Sequence, residues 1–341
     1  MENWNLSLQN QTSHILNGSN GSISINDYTD RVDQLHSGFA YYLFEIIWPI
    51  ISSLGIVGNI LSFVVMFQLS KSSSFYLYLA SLALSDMATL VVGGIFRGLT
   101  MIGLHKNIEN VYETLCYVDF DYALIHVLSQ LSSWITVAVT ADRYVAVCHP
   151  FHVKKYCTKK HALCYIGVAF LVIVALNFPS ICFQWDDENA SCVVPEFTND
   201  YCFKYSAYIE MVVYVLVPFC LICVFNALII RGIITSASGR RNITSGNGSS
   251  SSSSTNNDST LRTAIMLLTV TTCFICLFLP LVVYTLYEIV YDKILNSNFI
   301  AAVDICILLN HAINFVLYGL SGQRFREKFA AIFCLRRFVQ R

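Results

Sequence analysis

Seven runs of about twenty or more mostly apolar residues, separated by polar stretches, limit what this chain can fold into. They lie near Tyr41 to Gln68, Phe75 to Leu104, Thr114 to Val147, His161 to Phe183, Tyr205 to Ile234, Leu261 to Tyr291 and Asn298 to Leu320. About twenty residues is the length at which a helix crosses roughly 30 Å of hydrocarbon. In lipid, each crossing segment must also satisfy its own backbone polar groups, which favours helices. Of the 341 residues 55% are hydrophobic and only 13% charged, where soluble domains carry about 25% charged residues. The expected fold is therefore an all-α membrane protein, a seven-transmembrane helix bundle over 41–320. An odd number of crossings puts the two termini on opposite sides.

The basic residues orient the bundle. The connections after the first, third and fifth runs, their helix ends and the C-terminal tail hold 16 of the 21 Lys and Arg, but only Asp142, Asp258 and Glu327 of the 22 acids. By the positive-inside rule these regions are cytoplasmic. The tail 1–40 is then extracellular, and its Asn-x-Ser/Thr tripeptides make Asn5, Asn10, Asn17 and Asn20 glycan acceptors. No basic segment followed by an apolar core precedes the first run, so the first helix is expected to do the targeting, to the plasma membrane. The outer face keeps most carboxylates, among them Asp186, Asp187, Glu188 and Glu288. Such a vestibule attracts cations and basic peptides, although the positive-inside bias alone also leaves acids outside.

Three further stretches stand out. The outer connection from about Gln184 to Lys204 contains Cys192 and Cys202, and Cys116 stands at the outer start of the third run. On the oxidising side, a bridge from Cys116 to either one would pin this loop over the bundle mouth. The inner connection 236–259 includes an unbroken serine tract, Ser249 through Ser254, and is expected to be a disordered linker. In the last segment, 321–341, Ser321 through Phe333 alternates basic and apolar side chains. That pattern predicts a short amphipathic eighth helix lying on the membrane, with Cys334 after it as a palmitoylation candidate.

Two polar features sit where lipid would penalise them. Asp142-Arg143-Tyr144 ends the third run at the cytoplasmic boundary; there the Asp and Arg can pair while the bundle is closed, and the Arg can line a groove once it opens. The alternative is an ordinary charged helix flank. Asp86 falls in mid-bilayer, where a carboxylate needs a partner. No phosphate-cradling Gly loop, metal-spaced His/Cys cluster or nucleophile elbow is present, so no enzyme is expected. A seven-helix transporter would use Asp86 as its ion site, but no inverted repeat of broken helices is evident. A retinal Schiff base needs a Lys in the seventh run, which has none.

Along the runs stand Gly58-Asn59, Leu82-Ala83-Leu84-Ser85-Asp86, Asp142-Arg143-Tyr144, Pro218, Phe274 with Phe278-Leu279-Pro280, and Asn310-His311-Ala312-Ile313-Asn314-Phe315-Val316-Leu317-Tyr318. In this order they resemble the rhodopsin-like G-protein-coupled receptors over about 41–334. Asn314-Phe315-x-x-Tyr318 followed by Gly322-Gln323-Arg324-Phe325-Arg326 is similar to the invertebrate FMRFamide-type neuropeptide receptors in particular. There are departures. Phe315 stands where most of the family has Pro, Phe278 where most have Trp, Asn226 where the fifth helix usually has Tyr, and Ala169 about where the fourth usually has Trp. Cys116 precedes Arg143 by two residues more than the family spacing.

The resemblance implies a receptor for an extracellular peptide, amidated and basic, that activates a heterotrimeric G protein. Arrestin, a receptor kinase and membrane lipids are its other implied partners, and nucleic acid is not one. A small-molecule ligand such as an amino acid derivative is the alternative. Its ligand contacts would come from Arg97, Asp121, Ile125, His126, Gln130, Glu210, Tyr284, Glu288 and Asp304. Ile125 matches the amine-binding Asp of amine receptors, which disfavours an amine. The resemblance assigns activation and G-protein coupling to Asp142, Arg143, Tyr144, Asn226, Arg262, Phe274, Phe278, Pro280, Asn314 and Tyr318. It implies no cofactor beyond an allosteric sodium ion held by Asp86, Ser132, Asn310 and Asn314, with hydrogen bonding of Asp86 to Asn59 and Asn314 the alternative. For the disulfide it favours Cys116 with Cys192, since Cys192-Val193-Val194-Pro195 resembles the same loop in FMRFamide-type receptors; Cys202 stays as the other partner.

Overall fold

The computed structural model describes residues 42–96, 117–177, 184–186, 191–193, 210–244, 254–291 and 296–333. The chain is a helix bundle. α1 (Trp48–Leu69) follows a π-helical turn, Leu43–Ile47, and α2 (Ser74–Thr89) continues as another, Leu90–Phe96. α3 is Tyr117–Cys148 and α4 is Lys159–Asn177, with the short helical turns Pro150–His152 and Val153–Tyr156 between them. α5 (Val217–Thr244) is preceded by a π-helical turn at Glu210–Leu216, and α6 is Ser254–Tyr291. α7 is broken into Ser297–Ala312 and Asn314–Ser321, and α8 is Gln323–Ile332. Among the described residues six helices are long and apolar enough to cross a membrane, and the two pieces of α7, bent by 50°, make a seventh.

One connection holds a feature that the sequence did not indicate, and another differs from the expectation. The outer connection carries a two-stranded antiparallel ribbon, β1 (Gln184–Asp186) with β2 (Ser191–Val193), in which Trp185 faces Cys192. The linker expected over 236–259 is helical at both ends, because α5 runs through Thr244 and α6 begins at Ser254. Extending an anchored helix adds one hydrogen bond per residue fixed, and no proline interrupts either extension. Residues 245–253, with most of the serine tract, lie outside the described residues.

Close approach of α1 to α7 depends on glycine. A Cβ at Gly55 would stand 2.6 Å from the Ala312 Cβ, and one at Gly58 would meet the Phe315 Cβ at 3.0 Å. Trp48 closes the outer end by donating from its indole to the Gly94 carbonyl at 3.2 Å. The bend in α7 falls at Ile313 with no proline there. Its two flanks are tied elsewhere: Asn314 bonds to Asp86, and the Phe315 ring packs 5.9 Å from Phe325 and 5.8 Å from Phe329 of α8. α8 buries Phe325 and Ala330 against the bundle while Arg324, Arg326 and Glu327 face outward, the amphipathic pattern read from the sequence.

Candidate functional site

The inner mouth is built around the end of α3. Asp142 and Arg143 are both buried, and the guanidinium donates to Asp142 Oδ2 through Nη2 at 2.5 Å and Nε at 3.2 Å. The other carboxylate oxygen accepts from Ser74 Oγ at 2.9 Å, which joins α3 to the start of α2. The Arg143 guanidinium carbon also stands 4.3 Å above the Phe75 ring. A buried Asp and Arg are tolerated because each is paired and hydrogen-bonded. The Cys157 thiol lies beneath them, 3.7 Å from the Asp142 carbonyl oxygen, and burial followed by the Asp142 charge pushes it up to about 12. Tyr144 points away from this lock, toward His149 Nε2 at 3.2 Å and the Phe225 ring at 5.7 Å.

α6 is tied to its neighbours at two levels. In the interior, Thr271 donates to Asn226 Oδ1 at 3.0 Å, linking α6 to α5. At the exposed surface Arg262 donates to Gln323 of α8, whose amide in turn donates to Glu327 at 2.8 Å. Phe278 is fully buried, stacked 4.9 Å from Phe274 and edge-on to Tyr214 at 5.2 Å, two residues before Pro280 inside α6. Tyr318 is fully buried between α7 and α8.

The midplane cluster around Asp86 differs from the expected sodium set. Asp86 Oδ1 accepts from Ser132 Oγ at 2.5 Å and faces His311 Nδ1 at 2.7 Å, while Oδ2 accepts from Asn314 Nδ2 at 2.7 Å. Asn310 is buried nearby but gives Asp86 no hydrogen bond, and Asn59 donates instead to the His311 carbonyl at 2.8 Å. The donor set does not fit a sodium ion. A hard cation needs oxygen lone pairs, and two of the three groups on Asp86 present nitrogen. His311 stands inside the quoted motif Asn310-His311-Ala312-Ile313-Asn314, but the sequence reading gave it no role. The signal that would have found it is a titratable side chain in an apolar run, the same signal that marked Asp86.

The outer set is brought together only in part. Ile125, His126, Tyr284 and Asp304 are partly buried in the outer halves of α3, α6 and α7. Gln130 is corrected: it is fully buried and exchanges hydrogen bonds with Asn177 of α4 at 3.2 and 2.9 Å, so its amide is spent between helices. Arg97 and the side chains of Asp121, Glu210 and Glu288 lie outside the described residues, as do Asn5, Asn10, Asn17, Asn20, Cys116, Cys202, Cys334 and the Cys192 side chain.

Residues 58–318 match the family described as 7 transmembrane receptor (rhodopsin family). Among individual proteins, the chain is 27% identical to the FMRFamide receptor of Drosophila melanogaster over 87% of its own length, and spans 55% of that receptor. It is 24% identical to the sex peptide receptor of the same organism, covering 86% of this chain and 73% of the relative. With the human thyrotropin-releasing hormone receptor the identity is 27%, over 82% of this chain and 75% of the other. A match over most of the chain, seven apolar spans and the buried Asp142–Arg143 pair at the inner mouth lead to one conclusion: the chain belongs to the rhodopsin family of seven-transmembrane receptors.

Proposed function

We propose that this chain is a plasma-membrane receptor with an extracellular N-terminus, which binds an amidated, basic neuropeptide and couples that binding to nucleotide exchange on a heterotrimeric G protein. The observation that carries the reading is the 27% identity, across 87% of the chain, to a receptor named for FMRFamide. The sex peptide and thyrotropin-releasing hormone receptors are likewise named for peptide ligands. Asp304, with Glu210, Glu288 and Asp121, is assigned to the cationic part of the peptide, and Tyr284, Ile125 and His126 to its apolar part.

Peptide binding would shift the population toward a state in which α6 has moved and Arg143 is free of Asp142. The cavity so opened would receive a G-protein helix, a helix-in-groove contact, and arrestin and a receptor kinase would act on the same face. The Cys116–Cys192 bridge, the four glycans and a palmitoyl group on Cys334 belong to the same proposal. The test is a second-messenger assay in cells expressing the chain, screened against amidated neuropeptides, with Arg143→Ala as control. A response to one peptide that disappears in the variant at equal surface expression supports the reading. Silence across the library with receptor present at the surface overturns the peptide assignment, and a sodium or proton current overturns the receptor reading.

A further inference from the structure

Among the described residues, the interior between α2, α3 and α7 contains a buried side-chain cluster whose chemistry departs from what the motifs imply. Asp86 is completely enclosed, and His311 is nearly so, at 3% exposure. Their separation in sequence is 225 residues, and ring nitrogen and carboxylate oxygen stand 2.7 Å apart. Nδ1, facing a carboxylate oxygen, is the ring position that carries the hydrogen.

His311 is held there from two directions. Its carbonyl accepts from Asn59 of α1, which fixes the backbone, and its ring reaches α2. Asn314, one turn along on the other side of the bend, bonds to the second oxygen of the same carboxylate. Ser132 of α3 completes the arrangement.

We infer that the imidazole of His311 fills the cation position of this pocket, so that the receptor does not bind sodium at Asp86. The first reason is space. A hard cation bound to Oδ1 would sit about 2.3–2.6 Å from it, in volume that the His311 ring already takes at 2.7 Å. The second is polarity. The ring nitrogen and the Asn314 amide direct N–H groups at the carboxylate, and these repel a cation in a buried site of low dielectric. The third is that the carboxylate is already satisfied: each oxygen has a donor at 2.7 Å or closer, so an ion would have to displace bonds without offering better ones. His311 thus does inside one chain what a diffusible ion would otherwise do, and the α2–α7 tie is independent of ionic composition. Removing the ring would leave Asp86 and Ser132 beside an emptied space into which the Asn314 amide is free to turn its oxygen, and that space would accept sodium.

The experiment needs no agonist and is therefore independent of the proposed peptide ligand. The purified full-length receptor is unfolded thermally in sodium chloride and in choline chloride at matched ionic strength. For the unmodified chain the Tm is expected to be the same in both salts. For His311→Ser it is expected to rise by a few degrees in sodium, since an ion that binds only the folded state stabilises it by mass action. Asp86→Asn in that background is expected to abolish the rise. A sodium-specific rise in the unmodified receptor overturns the inference, and so does a folded His311→Ser variant with no sodium response. If His311→Ser does not fold, sodium titration of the unmodified receptor alone decides the matter.

Discussion

Thr271 of α6 and Asn226 of α5 are joined by a hydrogen bond of 3.0 Å in the buried inner half of the bundle. The bond sits where α6 would have to part from α5 to open the inner mouth. Thr271→Val keeps the shape but removes the hydroxyl, which also bonds to the Leu267 carbonyl at 2.9 Å, and leaves the buried Asn226 amide without its partner on α6, at a cost of about 1–3 kcal/mol. Basal second-messenger output without ligand is expected to rise at least about fivefold, the ratio that 1 kcal/mol sets, at equal surface expression. Unchanged basal output would mean the bond does not hold α6.

The surface tie between Arg262 and Gln323, extended to Glu327, is of another order. Solvent-exposed polar ties of this kind contribute about 0.2–1 kcal/mol. Arg262→Ala is therefore expected to raise basal output less than Thr271→Val does. Measuring the two variants side by side checks the ranking, and the reverse order would show that the lock lies at the surface.

Gln130 and Asn177 predict a stability effect rather than a ligand effect. Gln130→Leu leaves the Asn177 Oδ1 without its donor, while Nδ2 keeps the Ile173 carbonyl, and is expected to lower stability by about 1–3 kcal/mol, whereas replacing both partners with Leu recovers much of it. Thermal unfolding of the two single variants and the double variant measures the coupling. A peptide EC50 that moves in the double variant while stability is restored would return Gln130 to the ligand cavity.

Cys157 supplies a pH prediction. Its thiol is pushed up to about 12 by burial and then by Asp142, against about 8.5 for a free cysteine. The raised value favours the neutral thiol in the folded protein, so any stability it contributes is present below the unfolded value and lost as pH climbs toward 12. Alkylation requires the thiolate, and at pH near 8.5 the native protein should hold roughly a thousandfold less of it at Cys157 than the denatured chain. Peptide mapping after iodoacetamide treatment, native against denatured, reads this directly. Equal labelling in both states would contradict the contact of the half-buried thiol with Asp142.

The sequence by itself determined the class and the number of spans. These depend on counts along the chain, about twenty apolar residues in each run. It also marked Asp86 and Asp142-Arg143, because charge inside lipid is costly wherever the chain later turns. What it could not supply was pairing between distant runs. His311 reads along the chain as one polar residue in an apolar helix, and only the packing of α7 against α2 brings its ring to Asp86. Gln130 could equally have faced the outer cavity or α4, and the rotation of α3 decided for Asn177. The bend in α7, reached without a proline, has contacts on its two flanks rather than a residue that imposes it. Hydropathy and charge act through position in the sequence, whereas hydrogen bonds and ring contacts act over a few ångströms in space, and those distances exist only once the helices have packed.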